Sequence, residues 1–388
     1  MTGVLQTSLN GLHPYPDWAK LPLFDRKGWK RMPFGAFADS INKRVEPIDA
    51  AEEIYVGLEH LDPQNLHIRR WGKGTDVIGT KLRFRKGDII FGRRRAYQRK
   101  LAVAEFDGIC SAHAMVVRAK PEVVLPEFLP FLMMSDRFMN RAVEISVGSL
   151  SPTINWTTLK LEEFDLPPLD LQHRIAKSLW AVNETLECWR DSACYYDSYY
   201  QIVSETLLRR DRSQHATRID NYSWRKCTFG DAATLQRGHD LPVSARMDGD
   251  IPIWGSNGIC GFHAEAMYDG PGVVTGRSGT IGEVYYTSEP YWPLNTTLFV
   301  KDFHGNNPKY IYYLLNSFDF KKYSAGSAVP TLNRNDVHPT PLWLPDLPDQ
   351  LRIVEILDEL VSNSVHLRRH VEKSKDMMNM LLERFWEV

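Results

Sequence analysis

The 388-residue sequence predicts an α+β protein in which two mixed α/β globular domains alternate with two long helices that pack on each other. Three observations predict it. The chain repeats itself at a fixed offset, each copy holds a sustained heptad, and each heptad follows a region rich in Gly, Pro and aromatics. A chain of this length exceeds one typical core, so two or more domains are expected.

The duplication is read first, because an overlooked repeat misassigns the whole fold. GSLSPTINWTTL at 148–159 returns as GSAVPTLNRNDV at 326–337, an offset of 178. Gly148, Ser149, Pro152, Thr153 and Asn155 meet Gly326, Ser327, Pro330, Thr331 and Asn333. Without a gap, Leu166-Pro167 meets Leu344-Pro345, Gln172 meets Gln350, Arg174 meets Arg352 and Ile175 meets Ile353. A Gly-Ser-x-x-Pro-Thr turn alone is weak. The turn, the Leu-Pro pair and Gln-x-Arg-Ile in one register are far more specific. The repeated turn is expected to shape the junction into each helix.

After each Leu-Pro the apolar steps alternate four and three, as an a/d heptad requires. The first seam is Ile175, Leu179, Val182, Leu186, Trp189, Ala193, Tyr196, Tyr200, Val203 and Leu207. The second is Ile353, Leu357, Leu360, Ser364, Leu367, Val371, Ser374, Met378, Leu381 and Phe385, weakened at its two serines. A helix covering only its own domain shows a wider stripe, so the two seams are expected to face each other. From Ile175 to Leu207 the helix spans roughly 48 Å at about 1.5 Å per residue. The resulting boundaries are an N-terminal extension at 1–25, a globular region at 26–168, a helix at 169–212, a second globular region at 213–343 and a second helix at 344–388.

The globular regions align more loosely, with Gly92-Arg93 on Gly276-Arg277 and Val116 on Val300. In each, a short apolar strand ends in Gly-Arg and a polar loop follows. The first region concentrates basic charge between His67 and Lys100. Twelve Lys or Arg stand there, among them Arg69, Arg70, Lys73, Arg83, Arg85, Arg93, Arg94, Arg95, Arg99 and Lys100, against Asp76 and Asp88. In a chain of net charge −1 this is a local footprint suited to phosphate. The alternative is a solvated face whose cations pair with acids elsewhere in the fold. Arginines in the 93–95 loop could pair with guanine or hold phosphates, with Tyr97 extending the surface. The second region offers two small loops, WGSNGICGF with Ser256 and Asn257, and GRSGTIGE with Arg277, Ser278 and Thr280. Each loop is equally readable as a plain tight turn.

Several chemistries are absent. GPGVVTG at 270–276 precedes its strand and so is not a dinucleotide loop, and WGKGT at 71–75 is too short for a phosphate-binding loop. LPPL at 166–169 lacks the flanking residues of an amino-methyltransferase motif. No H-E-x-x-H, G-x-S-x-G or paired metal-ligand spacing occurs. His113 and His263 read as core or loop residues. The five cysteines are odd in number and lack C-x-x-C spacing, which suits a reducing, cytoplasmic setting. No run of 18 apolar residues and no basic-then-apolar start is present, so neither a membrane span nor a signal peptide is expected. Together these features favour a binder without catalytic residues, metal or cofactor.

SPTINWTTLKLEEFDLPPLDLQHRIAKSL and its second copy VPTLNRNDVHPTPLWLPDLPDQLRIVEIL resemble the specificity subunit of Type I restriction–modification enzymes over nearly the whole chain. GRRRAYQRKLAVAEFDGICS and GRSGTIGEVYY resemble loops of that family's target-recognition domains. The resemblance implies that each globular domain reads one half of a split double-stranded DNA site. It also implies that the helices pair antiparallel as a ruler. Two methyltransferase subunits that bind S-adenosylmethionine would dock on this scaffold, and a restriction/translocase subunit can join them. Half-sites about one helical turn, ~34 Å, apart suit such a ruler. The second copy departs from the pattern in reading Leu-Pro-Asp for Leu-Pro-Pro, and the first residues have no counterpart in the second half. Other readings are a coiled-coil adaptor for protein partners, or a related phage-defence subunit with a different effector.

Overall fold

The computed structural model describes residues 22–208, 223–323 and 331–386. Gly326, Ser327 and Pro330 of the second turn, residues 1–21 of the extension and residues 209–212 after the first helix lie outside the described residues. The chain divides into two compact units, residues 1–189 with 370–388, and residues 190–369. Both long helices are divided between the units.

Unit 1 is built on a four-stranded antiparallel sheet of β1 (Ala38–Ile41), β2 (Ile89–Phe91), β3 (Leu101–Val103) and β4 (Met115–Ala119), in the order β1-β4-β2-β3. Its inner strands β2 (IIF) and β3 (LAV) read as unbroken apolar runs, and β2 is covered on both faces. Ile89 and Phe91 point into one core with Met115 and Val117, whereas Ile90 and Val116 point into another. That is the period-two alternation of a strand between two layers. A five-stranded sheet lies beyond the second core, in the order Arg44–Val45, Lys81–Phe84, Gly108–Cys110, Ile54–Val56 and Gly72–Lys73.

Unit 2 repeats the first sheet with β5 (Thr234–Arg237), β6 (Gly272–Gly276), β7 (Val284–Thr287) and β8 (Thr297–Asp302), in the order β5-β8-β6-β7. Val273, Leu298 and Val300 enter the main core while Val274 and Phe299 enter a smaller one. The outer sheet differs. It has three strands, with Ile251–Gly255 between Gly258–His263 and Trp292–Pro293. The scaffold is duplicated and the outer sheets have diverged.

Each long helix, α1 (Leu169–Leu208) or α2 (Leu347–Trp386), follows a two-stranded ribbon. Lys30–Pro33 pairs with Glu163–Leu166, and Trp224–Thr228 pairs with Pro341–Pro345. One turn into each helix a glutamine is almost wholly buried. The Gln172 amide donates to the carbonyls of Pro167 (2.9 Å) and Val123 (3.0 Å), and its oxygen accepts from Leu125 N (2.8 Å). Gln350 donates to Pro345 O (2.9 Å) and Asn306 Oδ1 (2.8 Å) and accepts from Asn307 N (2.9 Å). The sequence departure at this point has a local reason. Asp346, standing where the first copy has Pro168, accepts from Asp349 N at 3.1 Å and so caps α2.

Along both helices the seam positions are buried or part-buried. Ile175, Leu179 and Leu186 are buried in unit 1 with Met378, Leu381 and Phe385, and Val182, Trp189 and Val371 are part-buried there. The Trp189 ring stacks on His370, centroids 4.4 Å apart. In unit 2, Ile353, Leu357 and Leu360 share a core with Leu207, and Tyr196, Tyr200 and Val203 pack against it. Leu367 is part-buried. Asp197 accepts from Ser364 (3.1 Å) and Arg368 (3.0 Å). Later residues of α1 thus meet earlier residues of α2, so the helices run antiparallel. Ser364, one of the two serines that weaken the second seam, supplies a hydrogen bond to the facing helix.

Candidate nucleic-acid interface

In unit 1, β2 ends at Phe91 and the Gly92–Arg95 run follows. Its backbone is bonded on both sides. Gly92 N donates to Lys100 O (2.8 Å), Arg95 N to Pro152 O (2.8 Å), and Arg93 O accepts from Ile154 N (3.0 Å). Arg95 and Arg99 both take left-handed backbone (φ 58° and 52°) around a one-turn helix at Ala96–Gln98. Such conformations cost energy in non-glycine residues and persist only where the surroundings hold them. The three arginines therefore project from a braced loop.

The structure divides the basic run in two. Arg69 is paired with Glu187, Arg70 with Asp62, Arg83 with Glu53 (2.7 Å) and Arg99 with Asp136. Lys100 Nζ donates to Leu58 O at 2.7 Å. All these partners but Asp62 come from distant stretches of chain, so the charge count between His67 and Lys100 overstates the free positive charge. Arg69 and the neighbouring His67, which meets Asn183 at 2.7 Å, tie their loop to the polar face of α1. Lys73 and Arg85 are exposed. Asp88 is fully buried and takes both guanidinium branches of Arg118, at 2.6 and 2.8 Å.

The Arg93–Arg95 guanidiniums are held differently. Arg93 Nη2 donates to Ala112 O (3.0 Å), and Arg94 Nη1 lies 3.3 Å from His113 Nε2. Partial burial lowers the His113 pKa, and the charges of Arg94, Arg93 and Lys81 lower it further. The imidazole therefore accepts from Arg94 in its neutral form. Arg95 and Tyr97 are exposed beside them.

Unit 2 repeats the arrangement with different side chains. Arg277 follows the end of β6, and its carbonyl accepts from Leu332 N at 2.8 Å. Arg277 N and Ser278 N both donate to Thr296 O (2.9 and 3.2 Å), and Arg277 Nη1 donates to Asn295 O at 3.4 Å. Ser256 and Asn257 form the tip of the hairpin between Ile251–Gly255 and Gly258–His263. That tip lies against the Arg277 loop. A β-carbon on Gly276 would stand 3.2 Å from Ser256 O and 1.9 Å from Thr280 O, so only glycine fits there. Ser256, Asn257, Arg277, Ser278 and Thr280, separate in sequence, share one end of the unit.

Asn333 caps the short helix Arg334–Val337, accepting from Asn335 N at 3.0 Å. Thr153 and Thr331, one from each copy of the Pro-Thr pair, bridge to Arg94 and Ser278. A group of three His, Cys, Asp or Glu placed to hold a metal does not occur among the described residues, and no described helix is long and apolar enough to cross a membrane. Sequence reading missed Arg44, Asn42 and Trp156, which line a cleft beside Arg93. Their only sequence signal is the Lys43-Arg44 pair and a tryptophan just after the repeated turn.

Known proteins share these features. A model of the family described as Type I restriction modification DNA specificity domain matches residues 72–190 and 222–373. The chain is 31% identical over 171 residues to the Type I restriction enzyme EcoDI specificity subunit of Escherichia coli, covering 41% of this chain and 36% of that protein. It is 24% identical over 154 residues to the EcoprrI specificity subunit of the same species, covering 38% of each. These alignments span little more than a third of either relative. Among solved structures, the S subunit of a Type I restriction–modification system from M. genitalium aligns with TM-score 0.63 at 15% identity, covering 93% of this chain and 96% of that one. A chain from a study of complex assembly and conformational transition in the type I R-M system aligns with TM-score 0.58 at 19% identity, covering 93% and 98%. These structures share the fold. With two matched copies spanning well over half its length, the chain belongs to the family of Type I restriction–modification DNA specificity domains.

Proposed function

We propose that the chain is the DNA sequence-specificity subunit of a Type I restriction–modification complex, without catalytic activity of its own. Each unit reads one half of a bipartite duplex site. One observation carries this reading. Two equivalent strand ends each present a polar loop braced by the same backbone bond, yet the loops carry different side chains, Arg93–Arg95 in one and Arg277, Ser278 and Thr280 in the other. A duplicated scaffold with unlike tips suits the reading of two unlike half-sites. Arginine and small hydroxyl side chains are the groups that contact guanine edges and phosphates. Lys73, Arg85, Tyr97, Ser256 and Asn257 extend these surfaces, while Arg69, Arg70, Arg83, Arg99 and Lys100 act mainly by holding the reading loops.

The antiparallel helices serve as the ruler between half-sites. The partners are two methyltransferase subunits, which carry S-adenosylmethionine, and a restriction subunit where the system includes one, all in the cytoplasm. Replacing Arg93–Arg95 together with alanine is expected to weaken duplex binding at least about tenfold, the loss of one or two charged contacts. Assembly with the methyltransferase subunits should be unchanged. Equal DNA affinity in the triple variant would overturn the role of this loop. Methyl transfer by the isolated chain would overturn its non-catalytic assignment.

A further inference from the structure

A cleft of about 360 Å³ opens beside the arginine loop of unit 1, within the roughly 300–1,000 Å³ range of ligand sites. Three cationic side chains line it, Arg44, Lys81 and Arg93, with Trp156 and Met115 as an apolar wall. A second cleft of about 490 Å³ shares Thr80, Lys81 and Ala112 with it and adds His113. Among the described residues lining the two, Asp76 is the sole carboxylate, and its oxygens accept from Lys73 N (2.7 Å) and Thr75 Oγ1 (3.4 Å).

Lys81 is the unusual member. It is 8% exposed, and its ammonium is held by the Ile78 and Gly79 carbonyls of its own loop. A buried ammonium is costly without an opposite charge nearby. Arg93 adds to the imbalance, because its buried Nε has no hydrogen-bond partner. Burial first, and then the charges of Arg94, Arg93 and Lys81, lower the pKa of the neighbouring His113. An anion in the cleft would relieve the first two conditions and offset the positive charge around His113.

The ligand's form follows from the walls. Arg44, Asn42 and Ala112 are exposed, so the cleft is open to a chain passing over it. Trp156 and Met115 offer an apolar surface beside the cations, which suits a sugar attached to the phosphate. We propose that this cleft seats one backbone phosphate of the duplex between Arg44 and Arg93, over Lys81, with the adjoining deoxyribose against Trp156. The assignment rests on the DNA-reading function and adds to it a fixed register point at which Arg44 and Lys81, outside the reading loop, join Arg93. Phosphate contacts of this kind position a protein on DNA without carrying sequence information.

The test uses the full chain assembled with its methyltransferase subunits on its mapped site. Each backbone phosphate is replaced in turn by a neutral methylphosphonate. One replacement in the half-site of unit 1 is expected to lower affinity about tenfold, the worth of one charge-assisted contact. Arg44→Ala should cost as much on unmodified DNA and nothing further at that one position, while reducing the salt slope by about 0.9. Arg94→Ala should remain additive with the same replacement. Lys81→Met, with its melting temperature checked, should match Arg44→Ala. Additivity of Arg44→Ala at every phosphate overturns the proposal. If the Arg93–Arg95 variant loses DNA while Arg44→Ala does not, the reading function stands and the cleft assignment falls. Calorimetric titration with inorganic phosphate separates the other source. Saturable binding that Arg44→Ala abolishes, without coupling to any backbone position, would assign the site to a free phosphate compound and overturn the duplex seat.

Discussion

The amide of Ile154 donates to the carbonyl of Arg93 at 3.0 Å, tying the repeated Pro-Thr turn to the end of β2. Leu332, 178 residues on, donates to Arg277 in the same way at 2.8 Å. The repeated turn is therefore a brace as well as a joint. Side chains that must meet DNA at fixed positions need such a supporting layer, since a loop free to shift by an ångström loses directional hydrogen bonds. What the duplication preserves is the support, and what it leaves free to vary is the tip.

Independent support predicts independent energetics. Among the described residues Arg94 and Arg277 share no bonded partner, so their losses should add. Arg94→Ala and Arg277→Ala are each expected to cost roughly 1–3 kcal/mol of binding to the specific site, the usual worth of a base or phosphate contact. The double variant should cost the sum to within about 0.5 kcal/mol. Fluorescence anisotropy at fixed salt measures all three. A double variant no worse than either single one would show that the loops act as a single unit.

The buried glutamines at the helix starts predict a stability effect separable from DNA binding. Gln172 satisfies two carbonyls and one amide, and leucine of similar size satisfies none. Leaving buried polar groups unpaired costs roughly 1–3 kcal/mol each before relaxation. Gln172→Leu should therefore lower the melting temperature by several degrees, and Gln350→Leu should do the same. Thermal melting of the two variants checks this, and a melting point unchanged in either would remove the locking role.

His113 predicts a pH dependence whose sign is fixed. Its folded-state pKa lies below the ordinary value near 6.5, through burial first and then Arg94. The stability contributed by the neutral ring is thus present above pH ~6.5 and is lost as pH falls through the lower folded value. A polyanion reverses the preference, because phosphate favours the imidazolium. DNA binding should then take up a proton, and affinity should rise several-fold as pH falls from about 7.5 to about 5.5, up to tenfold per unit of pKa difference. His113→Asn keeps an acceptor for Arg94 but cannot titrate, so its pH profile should be flatter. Matching profiles would exclude His113 from the interface.

Much of this architecture was readable because repetition and periodicity are local signals. The 178-residue offset, the glutamines and both seams need only neighbouring residues to be recognised. The arginine run was equally visible, but its division was not. Glu187 lies 118 residues from Arg69, and Asp136 lies 37 from Arg99. No charge count along the chain can show which cations are already paired. The cleft was hidden for the same reason, since Arg44, Lys81, Arg93 and Trp156 arrive from four separate segments. The Ser256 hairpin and the Arg277 loop were each weak as lone turns and become a surface only where Gly276 lets them touch.

The helix pair predicts how the spacer between half-sites can be changed. Asp197 in α1 is bonded to Ser364 and Arg368 in α2, so lengthening one helix alone would slip this seam. Seven residues inserted into both, after Asp197 and before Ser364, keep Asp197 beside Ser364 and Arg368 and every a/d position facing its partner. They add about 10 Å at 1.5 Å per residue, close to three base pairs at about 3.4 Å each. Single-molecule sequencing of DNA methylated by the altered complex should then show the same two half-sites with about three more unread base pairs between them. Inserting four residues in both helices should instead misalign the seams and destabilise the chain, because four is not a whole heptad. A seven-residue variant that folds and methylates with the original spacer would show that the helices do not set the distance.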